Sequence, residues 1–188
     1  MKYNKKFNFL ISLLIIIFNY SNVNASEQAT KLDKLFLKLQ TEKKINVAFE
    51  IEEKIWKIWT THPSKNELTE LMQYGSRLMN EEKLIEAIQV FSEIIRLDPS
   101  WAEGWNKRAT VFYLQKNYEK SQQDINKVID LEVRHFGALS GQGLVQIELE
   151  NYESAMKSYK KVLKIYPSNV SAKIMIEQLK ELIKEKTI

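Results

Sequence analysis

The sequence predicts an all-α fold, a solenoid of stacked helix pairs, on three observations. Asn117-Tyr118-Glu119 recurs 34 residues later as Asn151-Tyr152-Glu153, and Pro99-Ser100 recurs at twice that spacing as Pro167-Ser168. A fixed period of this length marks a repeated supersecondary unit rather than a single closed core. Within each period the apolar residues recur three or four apart, as at Ala87, Phe91, Ile94 and Ile95, which gathers them on one face of a helix. Only 5 glycines and 3 prolines interrupt the 188 residues, and no cysteine occurs. Disulfides, thiol catalysis and thiolate metal sites are thereby excluded.

The elements follow in order. Residues 1–25 have the build of a secretory signal peptide: a basic start, MKYNKK, an apolar run from Phe9 to Phe18, then polar residues ending in Val23-Asn24-Ala25. Cleavage after Ala25 would give an exported, periplasmic protein beginning at Ser26. The apolar run is shorter than the roughly 20 residues that span a bilayer, and an uncleaved inner-membrane anchor is the alternative.

Residues 26–64 read as an N-terminal helical pair, "LDKLFLKLQ" and "VAFEIEEKIWKIWTTHP", with a stripe of Ile51, Ile55, Ile58 and Trp59. Shifted by about one period, Ile51, Ile55 and Ile58 fall under Ala87, Phe91 and Ile94, so the pair reads as a possible degenerate repeat stacked on the first clear one. Trp56 and Trp59 are expected to dock there, or else to form an exposed platform for a ligand.

Three units follow, at 67–100, 101–134 and 135–168. The period aligns Leu71 with Trp105 and Leu139, Gly75 with Ala109 and Gly143, Ala87 with Ser121 and Ala155, and Phe91 with Ile125 and Tyr159. Small residues on both helices of a unit allow close approach, and bulky ones fill the flanks. Polar breaks at 80–83, 116–117 and 150–151 divide each unit into two helices. Ser64 with Glu67 and Ser100 with Glu103 have the spacing of capping boxes. The stretch 169–188 keeps a stripe through Ile174, Leu179 and Leu182 and is charged elsewhere, as a capping helix should be.

These small pairs flanked by bulky residues, repeating every 34 residues over 67–168, resemble the tetratricopeptide repeat, a helix-turn-helix unit that stacks into a right-handed superhelix. Two positions depart from its pattern. Val133 stands where proline is usual, which would let the second unit run on toward Phe136, and Ser121 stands where alanine is usual. The phrases "LDKLFLKL", "EEKIWKIW", "AEGWNKRATVFYL" and "RHFGALSGQGL" are together similar to an exported bacterial family of such proteins, a likeness that implies no enzymatic activity.

The resemblance also implies a site. The first helices of such repeats line a concave groove that takes an extended peptide or a partner helix. The residues carried to that face are Met72, Ser76 and Met79 in the first unit. In the second they are Glu103, Asn106, Lys107, Thr110, Tyr113 and Leu114, and in the third Ser140, Leu144 and Ile147. Trp105, Ala109 and Phe112 fall on the opposite, core stripe. Family members that clamp a C-terminal carboxylate use several Lys, Arg and Asn residues here; Met72 and Ser76 replace two of them, so no clamp is expected. Arg108, at the edge of the core stripe, requires a carboxylate partner, with Asp124 the candidate.

Other chemistries find little support. Beyond Lys2, Lys5 and Lys6, 25 basic side chains face 24 acidic ones, without the basic excess that phosphate neutralisation needs, so no nucleic-acid partner is expected. His62 and His135 stand in no HExxH or similar metal pattern, and no catalytic motif or phosphate-binding glycine loop is present. The reading is a non-enzymatic interaction scaffold with a protein or peptide partner and no cofactor or metal. Its alternatives are an envelope assembly factor tethered by residues 1–25, and a small-ligand protein or enzyme using acids such as Glu148 and Glu150 in the superhelical hollow.

Overall fold

The computed structural model describes residues 26–186, so the leader expected at 1–25 lies outside them. Among the described residues there are nine helices and no strands: α1 (26–41), α2 (Ile45–Trp59), α3 (Asn66–Asn80), α4 (Leu84–Leu97), α5 (Ala102–Leu114), α6 (Tyr118–Leu131), α7 (Phe136–Glu148), α8 (Tyr152–Ile165) and α9 (Val170–Lys186). Helices α3 to α8 form three antiparallel pairs, each packed on the next, and α9 closes the far end against α8.

The pairs are held by complementary size. A Cβ on Gly75 would lie 2.6 Å from the Phe91 ring, and one on Gly143 would lie 2.5 Å from the Tyr159 ring. Where the first helix carries Ala109 instead, the facing side chain shrinks to Ile125, and both are buried. Glycine meets an aromatic and alanine meets an aliphatic, so the sum of volumes is kept. Ser121 satisfies the small-residue requirement, and its hydroxyl donates to the Ala109 carbonyl at 2.9 Å.

The turn inside each pair is the same object three times. Glu82, Lys116 and Glu150, spaced by the period, adopt left-handed φ values of 59°, 58° and 57°. In each case the next amide reaches back five residues, Lys83 N–H to Leu78 O, Asn117 N–H to Phe112 O and Asn151 N–H to Gln146 O, closing a Schellman turn on the helix end.

The joints between pairs correct two expectations. Neither α3 nor α5 has a side-chain cap, so the Ser64 and Ser100 capping boxes do not form. His62 instead accepts from the Ser64 and Lys65 amides through Nδ1, and Asp98 holds the Ser100 amide at 2.9 Å. Burial pushes the Asp98 carboxyl up, but the bonds from Ser100 and His62 outweigh it and hold the group below its ordinary value. Val133 does not lengthen α6, which stops at Leu131; four residues separate α6 from α7, as between α4 and α5 and between α8 and α9. Arg134 does the work that a proline would do, folding back through its backbone and guanidinium onto Glu132.

The largest departure is the N-terminal pair. Helices α1 and α2 are antiparallel, with Gln28 bonded to the Ile58 and Thr61 carbonyls. They do not stack on α3 and α4 as a further repeat. Leu32, Phe36, Leu39, Ile51, Ile55 and Trp59 share one hydrophobic cluster with residues of the third unit and of α9, namely Phe136, Leu139, Tyr159, Tyr166 and Ile176. The first unit has its own cluster around Leu68, Met72 and Phe91. The apparent alignment of α2 with α4 reflected a shared helical stripe; at the position that aligns with the small Ala87, α2 carries the bulky Ile51.

Candidate functional site

The concave face is built from α3, α5 and α7, and α2 covers one half of it. The covered half has a polar floor. His135, fully buried, caps α7 by accepting the Ala138 amide at Nδ1, which places its ring proton on Nε2, 3.1 Å from Glu103 Oε2. Glu103 is 1% exposed, takes both bonds from the Asn106 amide at 3.2 Å, and has Lys107 Nζ at 3.5 Å. Both Glu103 oxygens and both His135 ring nitrogens therefore have partners on α5 and α7.

On that floor rests an aromatic lid from α2. Trp59 stacks on the His135 ring at 3.9 Å and 7°, and Trp56 meets His135 and Phe136 edge-on. A Cβ on Gly137 would overlap the Trp56 ring, so this glycine is the slot that admits it. Lys107 lies 5.8 Å from the same ring. Trp101 donates to the Trp59 carbonyl at 2.9 Å, and Arg134 joins the lid from outside through Asp33 at 2.7 Å.

The residues assigned to the groove thus fall into four groups. Met72 is corrected: it is buried to 1% exposure in the first unit's core, and Met79 packs half-buried against the same cluster. Glu103, Asn106 and Lys107 face inward but are the floor under α2, so Lys107 is no free cation. Thr110, Tyr113, Ser140 and Leu144 line an open cleft of about 200 Å³ between α5 and α7, whose base includes Ala109 and Ile125. Ser76 is half-buried, Leu114 is exposed, and Ile147 packs into the large cluster. The Tyr113 hydroxyl donates to Glu148 at 3.3 Å, and burial first, then that carboxylate, push its pKa up.

Two of the sequence readings concerned α2 and α5 directly. The tryptophans are neither docked on the first unit nor an exposed platform. Arg108 has its expected partner: Nε and Nη2 hold Asp124 at 2.7 and 2.9 Å, and Nη1 reaches Ser92 at 3.0 Å. Its guanidinium also lies 5.1 Å from the Trp105 ring and 5.7 Å from that of Phe112, so these two rings are half-buried companions of the cation rather than deep core.

What the sequence reasoning missed was the His135–Glu103 pair. A signal existed: one period apart, His135 corresponds to Trp101, so it opens α7 directly beside position 103 of the preceding first helix. A larger opening of about 580 Å³ lies between α1 and α2, lined by Glu27, Lys31, Lys54, Lys57, Ile58 and His62, and both ring nitrogens of that histidine are already engaged, by Asp98 and by the Ser64 and Lys65 amides. Among the described residues no group of three or more His, Asp or Glu could hold a metal, and no helix is long and apolar enough to cross a membrane.

The repeat geometry has relatives. A family model described as tetratricopeptide repeat matches residues 137–169. A TPR repeat-containing protein of Rhizobium etli is 33% identical over 166 residues, 88% of this chain and 80% of that protein. The chain is a tetratricopeptide repeat protein. An Hsp70-Hsp90 organizing protein of Triticum aestivum is 30% identical over 95 residues, 50% of this chain but 16% of that protein. Among solved structures, the first TPR of Spaghetti (RPAP3), bound to the HSP90 peptide SRMEEVD, is similar with a TM-score of 0.61 at 23% identity, covering 63% of this chain and 94% of that one. The MamA protein is similar with a TM-score of 0.57 at 20% identity, covering 83% and 82%. These structures share the right-handed helical-repeat fold.

Proposed function

We propose that this tetratricopeptide repeat protein is a non-enzymatic interaction scaffold that takes a partner's peptide or helix along the open half of its concave face. The observation that carries this is the cleft between α5 and α7, where Thr110, Tyr113, Ser140 and Leu144 stand over an apolar base of Ala109 and Ile125. Stacked repeats present such a surface already ordered, so little conformational entropy is lost on binding. The RPAP3 domain carries an acidic peptide in the same kind of fold. Here Met72 is buried in the first unit's core, leaving the uncharged Ser76 on that face, and Lys107 is neutralised by Glu103, so the ligand is a largely apolar or neutral segment. Export with a mature start at Ser26 is part of the proposal and places the partner in the periplasm; N-terminal sequencing of the exported protein tests it, because retention of residues 1–25 would make it a tethered protein.

A photo-reactive side chain placed at Leu144 should crosslink a partner segment in intact cells. The same group at Lys127, exposed on α6 away from the cleft, should not. Identical products from both positions, or recovery of only a metabolite at Leu144, would remove the groove assignment.

A further inference from the structure

We infer that the covered half of the concave face is itself a helix-binding site, that α2 is its resident ligand, and that a partner helix gains this half by displacing the N-terminal pair. This deepens the interaction reading above and rests on the concave face being a binding face. The Leu144 crosslink examines that face with α2 in place, so the two can fail separately.

Three features distinguish a seated ligand from a permanent core layer. Repeat helices approach closely through glycine and alanine, whereas α2 makes no such close packing along any repeat helix and reaches them through the bulky Ile51, Ile55, Trp56 and Trp59. The floor beneath is charged and already satisfied by its own members, Glu103, Asn106, Lys107 and His135. Uncovering it breaks none of the bonds among these four residues; what is lost includes the outer Arg134–Asp33 pair and the cover over Phe136 and Leu139, an apolar strip of the kind an amphipathic helix seeks. The fit is also imperfect: Trp59 is 7% exposed, yet its indole N–H is buried with no acceptor. A buried donor left unpaired weakens the seat, and a partner that offers an acceptor there would hold better.

The seat also states what it accepts. Two aromatic side chains three positions apart on one helix face enter it, one flat on His135 and one over Gly137 beneath Lys107. An amphipathic helix with that pair is the matching partner, and the residue 44–62 segment of this chain is a ready probe.

The test uses the full chain from Ser26 and a labelled peptide of residues 44–62. Wild type should bind the peptide weakly, because its site is filled. Trp56→Ala loosens the resident helix and should bind it at least tenfold more tightly. Asp33→Cys and Arg134→Cys joined by a short bismaleimide, introduced into the Trp56→Ala chain, should pin the N-terminal pair and abolish that gain; the absence of native cysteine makes the labelling specific. If Trp56→Ala fails to fold by circular dichroism, Trp59→Ala, which removes the ring stacked on His135 and leaves positions 33 and 134 free for the crosslink, takes its place. Equal affinity in wild type and variant, or an unchanged gain after crosslinking, would overturn the inference and make α2 a fixed part of the core.

Discussion

The stack of α3 to α9 and the pair α1–α2 are both helical, both amphipathic and joined in one chain, yet they are held by opposite means. In the stack, small residues bring backbones together and large ones fill what remains. In the pair, bulky aliphatic and aromatic side chains reach across to an apolar patch around Phe136 and Leu139 and to the polar floor beside it. The difference teaches that a 34-residue period records a packing geometry, and that a segment with a bulky residue such as Ile51 at the close-approach position does not join the stack even when its apolar stripe aligns with it.

The strongest test lies inside the stack. Arg108→Ala would leave Asp124 buried without a cation, and breaking such a pair costs about 3–5 kcal/mol; urea unfolding should show this as a large fall in midpoint. Replacing both partners by apolar residues, Arg108→Met with Asp124→Leu, should recover most of the loss. If the single variant unfolds like wild type, the bidentate pair has no structural weight.

The same substitution can then be made in both regions. Gly143→Ala forces a methyl against the buried Tyr159 ring and should cost about 1–3 kcal/mol, the usual range for overpacking. Gly137→Ala meets Trp56, which is half-buried and can swing outward, so it should raise tryptophan accessibility to a quencher while leaving the main unfolding midpoint nearly unchanged. Equal midpoint shifts would erase the distinction between stack and seat.

An alkaline titration reads both regions together. Burial pushes Tyr159, in the stack, and Tyr166, beside the seat, up to about 12; for Tyr166 the Glu52 carboxylate of α2 adds to it. Because both are raised above the unfolded value of about 10, their stabilisation is present below pH 10 and is lost as pH rises toward 12. Tyr166→Phe should flatten that loss at the α2 end, seen as reduced alkaline release of α2, and Tyr159→Phe should flatten it for global unfolding. The smallest effect belongs to the turns: Lys116→Gly relieves a left-handed non-glycine residue and should stabilise by up to about 1 kcal/mol in thermal unfolding.

The stack was legible because its contacts are local and repeated. Gly75 with Phe91, Gly143 with Tyr159 and the need of Arg108 for Asp124 all follow from aligning one unit on the next. The joints were less so, since Ser100 and Glu103 have capping-box spacing while Glu103 is claimed by His135, 32 residues away. The seat of α2 was not legible at all. Trp56 meets Gly137 and Asp33 meets Arg134 across separations that no period links, and Met72 was placed on the groove because nothing in its own unit shows how deeply that helix sinks.

The four-residue joints make each repeat interchangeable with the next, so the solenoid alone sets no limit on its own length. The N-terminal pair does. It leaves the beginning of the first unit and must land on His135, Phe136 and α9, so it works as a gauge that only a three-unit stack satisfies. Insertion of a fourth unit would carry the landing site out of reach, and the chain would gain an open groove at the moment it gained length.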